Sequence, residues 1–435
     1  MSEKPLRILF VNRMASMERG GGETFDLEMM RHLVGLGCQV SVLTGLPLFG
    51  RAKLGPGDWW TVGELDDGRG AMGESPIVHC PLPIASHTIR TPYTGWFPWD
   101  KVRGGWRLRV LDFQIFEWAA ARWACKNRDQ YDVIQVCELP FFVKYFKDSV
   151  IGWGNLLGRR GASKCNPASV SGSSIPVVLR LTAPDFYDPM GALALADAVI
   201  ASGTTMRVVR AGPRPDCHDI ANGVDTDLFR PHASPLRREQ GWADDDKIVV
   251  FVARFQAVKN HSMLLEAFRQ LLDMEPKARL VLAGSGPLES SMRKQCAAQG
   301  IAARVDFLGE VPFRRVADLY AVADLNAISS DYESFSFVAL EGMASALPLV
   351  ATATDWVPTL IGGSGASPGE VPGGIVVPKG AARPMAEAMA YLLRDSEAAR
   401  RKGAWNRQRV VRDFGWKVSA GKLLNVYQSL AHGID

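Results

Sequence analysis

Two glutamates in the segment DYESFSFVALEGMASALPLVA, residues 331–351, have the type and spacing of a ligand-holding pair. Glu333 lies just before a predicted helix and Glu341 within it, eight residues on. At about 1.5 Å per residue, eight helical steps span roughly 12 Å, and more if the start is extended. Carboxylates that far apart cannot share one proton or one metal ion. They can each hold hydroxyls at opposite ends of an elongated ligand. Between them, the amides of Phe335, Ser336 and Phe337 fall at a helix N-terminus, where unpaired N–H groups favour oxygen-rich or anionic partners. The same spacing also fits two surface glutamates on an ordinary helix.

Other segments carry weaker signals of the same kind. In VARFQAVKN, residues 252–260, Arg254 follows an apolar run and Lys259 comes five residues later. Two cations at a strand's carboxyl end suit a diphosphate, and they equally suit a solvated loop. In LVLAGSGPL, residues 280–288, Gly284 and Gly286 allow either a ligand or a tight turn to approach the backbone. RGGGETF, residues 19–25, lacks both the G-x-G-x-x-G pattern and the P-loop lysine. It reads as a plain turn or as a cradle for a phosphate or sugar at the first helix. In IANGVDTDLFRP, residues 220–231, Asp225 and Asp227 are oxygen ligands of the kind magnesium takes, but their place in an Asn-Gly turn favours a structural role.

These segments need elements to position them. Ile8–Val11, a helix over Thr24–Leu36 closed by Gly37, and Gln39–Leu43 form a βαβ unit, which predicts a parallel sheet. Strands follow at Val133–Val136, Val177–Leu181 and Ala198–Ala201, with a short helix near Met190–Ala196. The region 50–130 gives no clear strands, and 155–174 reads as a polar surface loop. A second series starts at Lys247, with strands at Ile248–Val252, Leu280–Ala283, Val305–Leu308, Leu349–Ala351 and Gly374–Val377. Helices are predicted over Ser262–Leu272, Leu288–Ala298, Ala339–Ala344 and Met385–Leu393. The polar segment 232–246 reads as the linker between two doubly wound α/β domains. Such sheets bind ligands beyond the carboxyl ends of their strands.

Composition sets the outer bounds. The chain has 435 residues, 47% hydrophobic and 22% charged, enough to bury the cores of two domains. A formal charge of +4 is too small to make nucleic acid the expected partner. Seven cysteines, widely spaced and without C-x-x-C, fit neither a disulfide framework nor a zinc site. No leader or membrane-spanning stretch is read, so a cytoplasmic location is expected.

Taken in this order, the segments resemble the GT-B retaining glycosyltransferases of family 4, over most of the chain. The family's GGAE is matched by GGGE at Gly20–Glu23, and its N-G-V-D-x-x-x-F by Asn222–Asp225 and Phe229. R-x-x-x-x-K is matched by Arg254 and Lys259, G-x-G-P by Gly284–Pro287, E-x7-E by Glu333 and Glu341, and F-x-W by Phe414 and Trp416. The resemblance implies two Rossmann-like domains facing a central cleft. An acceptor domain would cover 1–231 and a donor domain 247–413, with a C-terminal helix, 414–435, returning to the first domain.

It further implies a hexosyltransferase that takes a UDP- or GDP-linked sugar, without a metal, and retains the anomeric configuration. Arg254 and Lys259 would clamp the diphosphate. Glu333 would hold the donor sugar with Ser334, Phe335, Ser336, Phe337 and Val338, and Glu341 the ribose. Gly21, Gly22, Gly284 and Gly286 would complete the donor site. The acceptor would be a glycan or lipid-linked glycan, in surface polysaccharide biosynthesis. Two other readings are a catalytically silent nucleotide-sugar binding subunit and a nucleotide-sugar 2-epimerase.

Two segments depart from the pattern. The family's DVIHxH-E-P segment reads DVIQVCELP at Asp132–Pro140, so Gln135 and Cys137 stand at the histidine positions and Glu138 is kept. Cys137 and Glu138 are the candidates nearest the sugar or acceptor. Ser336 stands where the family prefers glycine, which implies an altered donor preference. Replacement by Ser336→Gly should then re-rank the donors used. Separately, RTPYTGWFPWDKVRGGWRLR, residues 90–109, sets five cations and five aromatics against one acid, Asp100. Such a mixture suits an anionic membrane surface or a stacked glycan, as well as a buried aromatic core. Flotation with anionic liposomes tests the membrane reading: the chain should rise with the vesicles and lose that behaviour when Arg103, Arg107 and Arg109 become Ala.

Overall fold

The computed structural model describes residues 4–13, 21–47, 84–91, 105–147, 175–212, 214–364 and 367–433. The chain divides into two compact units, Met1–Ala221 with Ala420–Asp435, and Asn222–Ser419.

The first unit is built on a seven-stranded sheet. Its strands are β1 Arg7–Val11, β2 Gln39–Pro47, β3 Ile84–Thr91, β4 Val133–Cys137, β5 Val177–Arg180, β6 Ala198–Ala201 and β7 His218–Asp219. Their order is β3-β2-β1-β4-β5-β6-β7, and every pairing is parallel. Residues of the central strands, such as Leu9, Ile134, Val136 and Leu179, are fully buried against Phe116, Ala120 and Ala124 of the helix Gly105–Lys126. Continuous apolar runs like these are what a sheet covered on both faces requires. β3 escaped the sequence reading because it is an edge strand. Its sequence, IASHTIRT, keeps Ala85 and Ser86 exposed and so shows no such run.

A buried polar network crosses this unit. Asp26, on the helix Gly21–Gly35, accepts hydrogen bonds from Asn12 Nδ2 at 2.7 Å and Gln135 Nε2 at 3.0 Å. The Arg180 guanidinium lies 3.7 Å from the same carboxylate and stacks over the Phe25 ring. It also donates to Cys137 Sγ at 3.6 Å. The last helix, Trp416–His432, joins the network through Tyr427, whose hydroxyl donates to Gln135 Oε1 at 2.5 Å. Burial pushes the Asp26 carboxyl above its usual range, against the pull of Arg180 and the donors around it.

The second unit has its own seven strands: β8 Lys247–Val252, β9 Ala278–Ala283, β10 Val305–Gly309, β11 Leu325–Ile328, β12 Leu349–Thr352, β13 Gly369–Val371 and β14 Gly374–Val377. The order is β10-β9-β8-β11-β12-β14-β13, parallel except for the β13–β14 pair. β11 was missed because its four residues, LNAI, carry a polar Asn326. That side chain is wholly buried and donates to Val338 O at 3.0 Å.

The segment 232–246 corrects one expectation. It is not a free linker but a folded part of the second unit. Asp246 is buried and accepts from Ala243 N, Arg279 Nε and Arg304 Nη1 at 2.8–3.1 Å. The chain instead passes between units at 221/222 and 419/420, outside the expected boundaries at 231 and 414. Residues 222–229 are held in the second unit because Val224 N bonds to Phe414 O and Phe229 packs edge-on against Tyr320. The last helix belongs to the first unit from Ala420 onward.

Removing the Tyr427 hydroxyl leaves the buried Gln135 Oε1 without its donor. Tyr427→Phe should destabilise the first unit by about 1–3 kcal/mol, read from urea unfolding followed by a probe in that unit.

Candidate active site

The carboxyl ends of β8, β9 and β11 gather the residues singled out in the second unit. The segment after β8 is fixed from below. Ala253 N bonds to Ala283 O at 2.9 Å, Phe255 N to Ser285 O at 3.0 Å and Leu288 N to Phe255 O at 3.2 Å. Gly284 and Gly286, at φ +134° and +156°, owe their identity to this fit. A Cβ at Gly284 would run into the Ala253 carbonyl, and one at Gly286 into Phe255 O at 2.7 Å. The glycines thus hold the loop that carries Arg254. Arg254 is exposed, and its guanidinium has no hydrogen-bond or ion-pair partner among the described residues.

Lys259 closes the one-turn helix Ala257–Lys259, and Asn260 follows it at φ 47°. Asn260 tolerates this conformation and caps the helix His261–Met274 by accepting from Met263 N at 3.3 Å. The turn is tied to the end of β11: Ser329 Oγ donates to Lys259 O, and Asp331 N to Val258 O, both at 2.8 Å. These bonds deliver the Lys259 ammonium to Glu333, Nζ to Oε1 at 2.6 Å. Ser330 Oγ donates to the same oxygen at 2.8 Å. Glu333 is only 7% exposed, and its second oxygen has no partner among the described residues. Sequence reasoning placed Lys259 and Glu333 in one site but not in one ion pair. Their separation of 74 residues hides it.

Ser334, Phe335, Ser336, Phe337 and Val338 lead into the helix Phe337–Ala344. Ser336 is its N-cap, at φ 78°, with its hydroxyl accepting from Ala339 N at 3.4 Å. This is a backbone conformation that glycine adopts freely, and the serine offsets the strain by capping. Its hydroxyl is therefore turned toward its own helix. Phe335 and Phe337 pack into an aromatic cluster. Phe335 lies 6.5 Å from Trp356 and 6.2 Å from Phe414, and Phe337 lies 6.1 Å from Trp416.

Glu341 is half-buried on the same helix, facing Tyr320. Burial pushes its carboxyl up to about 7, only partly countered by the Tyr320 hydroxyl. Tyr320 itself is fully buried and donates to Val338 O at 3.2 Å, which fixes it against the first turn of this helix. The sign matters for stability. A carboxyl raised in the folded state costs stability as pH rises from its unfolded range toward 7, and that cost is complete above 7.

The remaining candidates lie in the first unit. Gly21 and Gly22 begin the helix Gly21–Gly35, while the turn before it lies outside the described residues. Gln135 and Cys137 both belong to the Asp26 network. Glu138 sits at φ 52° and brackets the next loop by accepting from Thr182 N at 2.7 Å, Ala183 N at 3.0 Å and the Thr182 hydroxyl. Asp225 accepts from the amides of Asp227 and Leu228, an Asx turn in keeping with a structural role. Residues 92–104 of the aromatic and basic segment, and the loop 155–174, fall outside the described residues. Among the described residues no helix is long and apolar enough to cross a membrane, and five cysteines are free thiols.

Residues 234–409 match the family described as glycosyl transferases group 1. The D-inositol 3-phosphate glycosyltransferase of Mycobacteroides abscessus is 34% identical over 215 residues, 47% of this chain and 44% of that protein. A GDP-mannose-dependent phosphatidylinositol monomannoside mannosyltransferase of Corynebacterium glutamicum is 27% identical over 231 residues, 50% of this chain and 58% of that protein. The chain spans about half the length of the curated relatives it matches. Among solved structures, a glycosyltransferase from Rickettsia africae superposes with a TM-score of 0.67 at 14% identity, covering 98% of this chain and 99% of that one. Anabaena HepE, solved with UDP, does so with a TM-score of 0.66 at 17% identity, covering 98% and 100%. Residues 234–409 are therefore similar in sequence to group 1 glycosyl transferases, and the chain shares the α/β fold of these solved GT-B glycosyltransferases.

Proposed function

We propose that this protein transfers a hexose from a nucleotide-sugar donor, held by the second unit, to a glycan or lipid-linked glycan, with retention of configuration. The observation that carries the reading is the cluster of Lys259, Glu333 and Ser330 at the carboxyl ends of β8 and β11, with the exposed Arg254 on the same segment after β8 as Lys259. Bond breaking leaves charge on a nucleoside diphosphate. Arg254 and Lys259 are placed to meet that charge, so no metal is required for it. The unpartnered oxygen of Glu333 is an acceptor for a donor-sugar hydroxyl. Lys259 neutralises the same carboxylate, which otherwise would oppose the phosphates. Glu341 in its ionised form accepts from the ribose hydroxyls. Front-face attack needs no carboxylate nucleophile, and this fits a Glu333 engaged by Lys259 and Ser330.

A role in surface polysaccharide synthesis, a cytoplasmic location and membrane contact through residues 90–109 belong to the same proposal. A catalytically silent subunit is the second reading, because Gln135 and Cys137 are committed to the Asp26 network. It predicts nucleotide binding without turnover.

Calorimetry of UDP, GDP and ADP in EDTA is the first test. One of the three should bind, and the binding should be lost in Glu341→Ala. No binding of any of them overturns the donor site. With a turnover assay in hand, Arg254→Ala or Lys259→Ala should lower kcat by about 100- to 1000-fold. Glu341 adds a pH signature. Nucleotide affinity should weaken below pH about 7 as the carboxyl takes up its proton. Glu341→Gln should bind poorly, yet melt higher than wild type at pH 8, with the gain fading by pH 5. An unchanged melting difference across this range would refute the raised carboxyl.

A further inference from the structure

We infer that Glu310 reads the base of the donor and makes the site selective for a guanosine diphosphate sugar over a uridine one. The inference rests on the donor-site reading above and deepens it. Strand order supplies the layout. The proposed diphosphate clamp, Arg254 and Lys259, follows the central strand β8, and Glu333 follows β11 on one side of it. On the other side lie β9 and then β10 at the edge. The proposed ribose ligand Glu341 faces Tyr320 of the helix that follows β10, so a nucleotide with its diphosphate at β8 brings its base to the β10 side.

Glu310 is the residue immediately after β10, and it is exposed. Its position is set from three directions. Ser285 Oγ, between the two constrained glycines after β9, donates to Glu310 Oε1 at 2.6 Å. Gly309, at φ +65°, turns the chain there and accepts from Gly284 N at 2.7 Å. Beyond Glu310, Pro312 caps the helix Phe313–Val322, and Phe313 packs edge-on against Phe229 at 5.3 Å. That helix also carries Tyr320, which faces the proposed ribose ligand Glu341. The second oxygen of Glu310 has no partner among the described residues. A carboxylate held this way is an acceptor with nothing to donate. Guanine offers two neighbouring donors, N1–H and N2–H, and satisfies it. Uracil offers one N–H flanked by two carbonyl oxygens, which the carboxylate repels. The selectivity comes from the paired donors that guanine offers to the carboxylate and from the repulsion of the uracil carbonyl oxygens.

The test is calorimetric titration of the full chain with GDP, UDP and ADP, for wild type and Glu310→Gln. Wild type should bind GDP tightest. Glutamine keeps the acceptor that Ser285 bonds, so a merely structural role for Glu310 would leave the order of the three unchanged. If Glu310 reads the base, Glu310→Gln should weaken GDP by about 10-fold or more. It should also improve UDP relative to GDP, because the amide donates to a uracil carbonyl while accepting N3–H. Preference of the wild type for UDP or ADP, or an unchanged ratio in the variant, overturns this inference and leaves the donor site standing. No binding of any nucleotide overturns both.

Discussion

The ion pair between Lys259 and Glu333 is the contact on which the second unit's site depends. Burying a carboxylate without a partner is costly, and a buried pair holds only if its remaining hydrogen bonds are met. Here Ser330 meets one of them, from the strand end next to the lysine's own. β8 and β11 are direct neighbours, with Leu325 opposite Val249 and Asn326 opposite Val250. Their loops can therefore be cross-linked by short bonds, Ser329 to Lys259 and Asp331 to Val258. Neither loop is free to move without exposing or orphaning the carboxylate. The result is a cation and an acceptor fixed a hydrogen bond apart, at the place where parallel sheets bind ligands.

The helix that follows extends the same constraint. Its N-cap, Ser336, is held in a glycine-like conformation, and its first turn is gripped at Val338 O by both Tyr320 and Asn326. The close fit continues at Gly342, where a Cβ would collide with the Asn326 side chain. Glu341 lies on this helix, and burial raises its proton affinity. A carboxyl buried in this way lowers stability once it ionises. Sites commonly trade stability for function in this way.

In the first unit the organising element is Asp26. Gln135 and Cys137, which stand where the motif it resembles has histidines, both converge on it. With Asn12, Arg180 and Tyr427 they make one buried network that reaches into the last helix. Low dielectric strengthens each bond while penalising any member left unpaired, so such networks tend to change as a set. The glutamine is then a structural member of a polar core, and Glu138 beside it braces the next loop.

Much of this was legible in the sequence because it is local. Apolar runs such as Ile8–Val11 and Ile248–Val252 can only be buried strands, and Gly37 closes the first helix at φ +89°. Arg254, Lys259, Glu333 and Glu341 could be named from residue type and spacing. What stayed hidden was either polar where a strand is expected to be apolar, as with Asn326, or partly exposed at a sheet edge, as in β3. The pairing of Lys259 with Glu333, the bracket of Ser285 on Glu310 and the convergence on Asp26 were decided by the tertiary structure alone. Side-chain chemistry and backbone periodicity are properties of short segments, and a sequence states them directly. Which charges meet depends on strand order and register, which bring residues 74 apart within 2.6 Å.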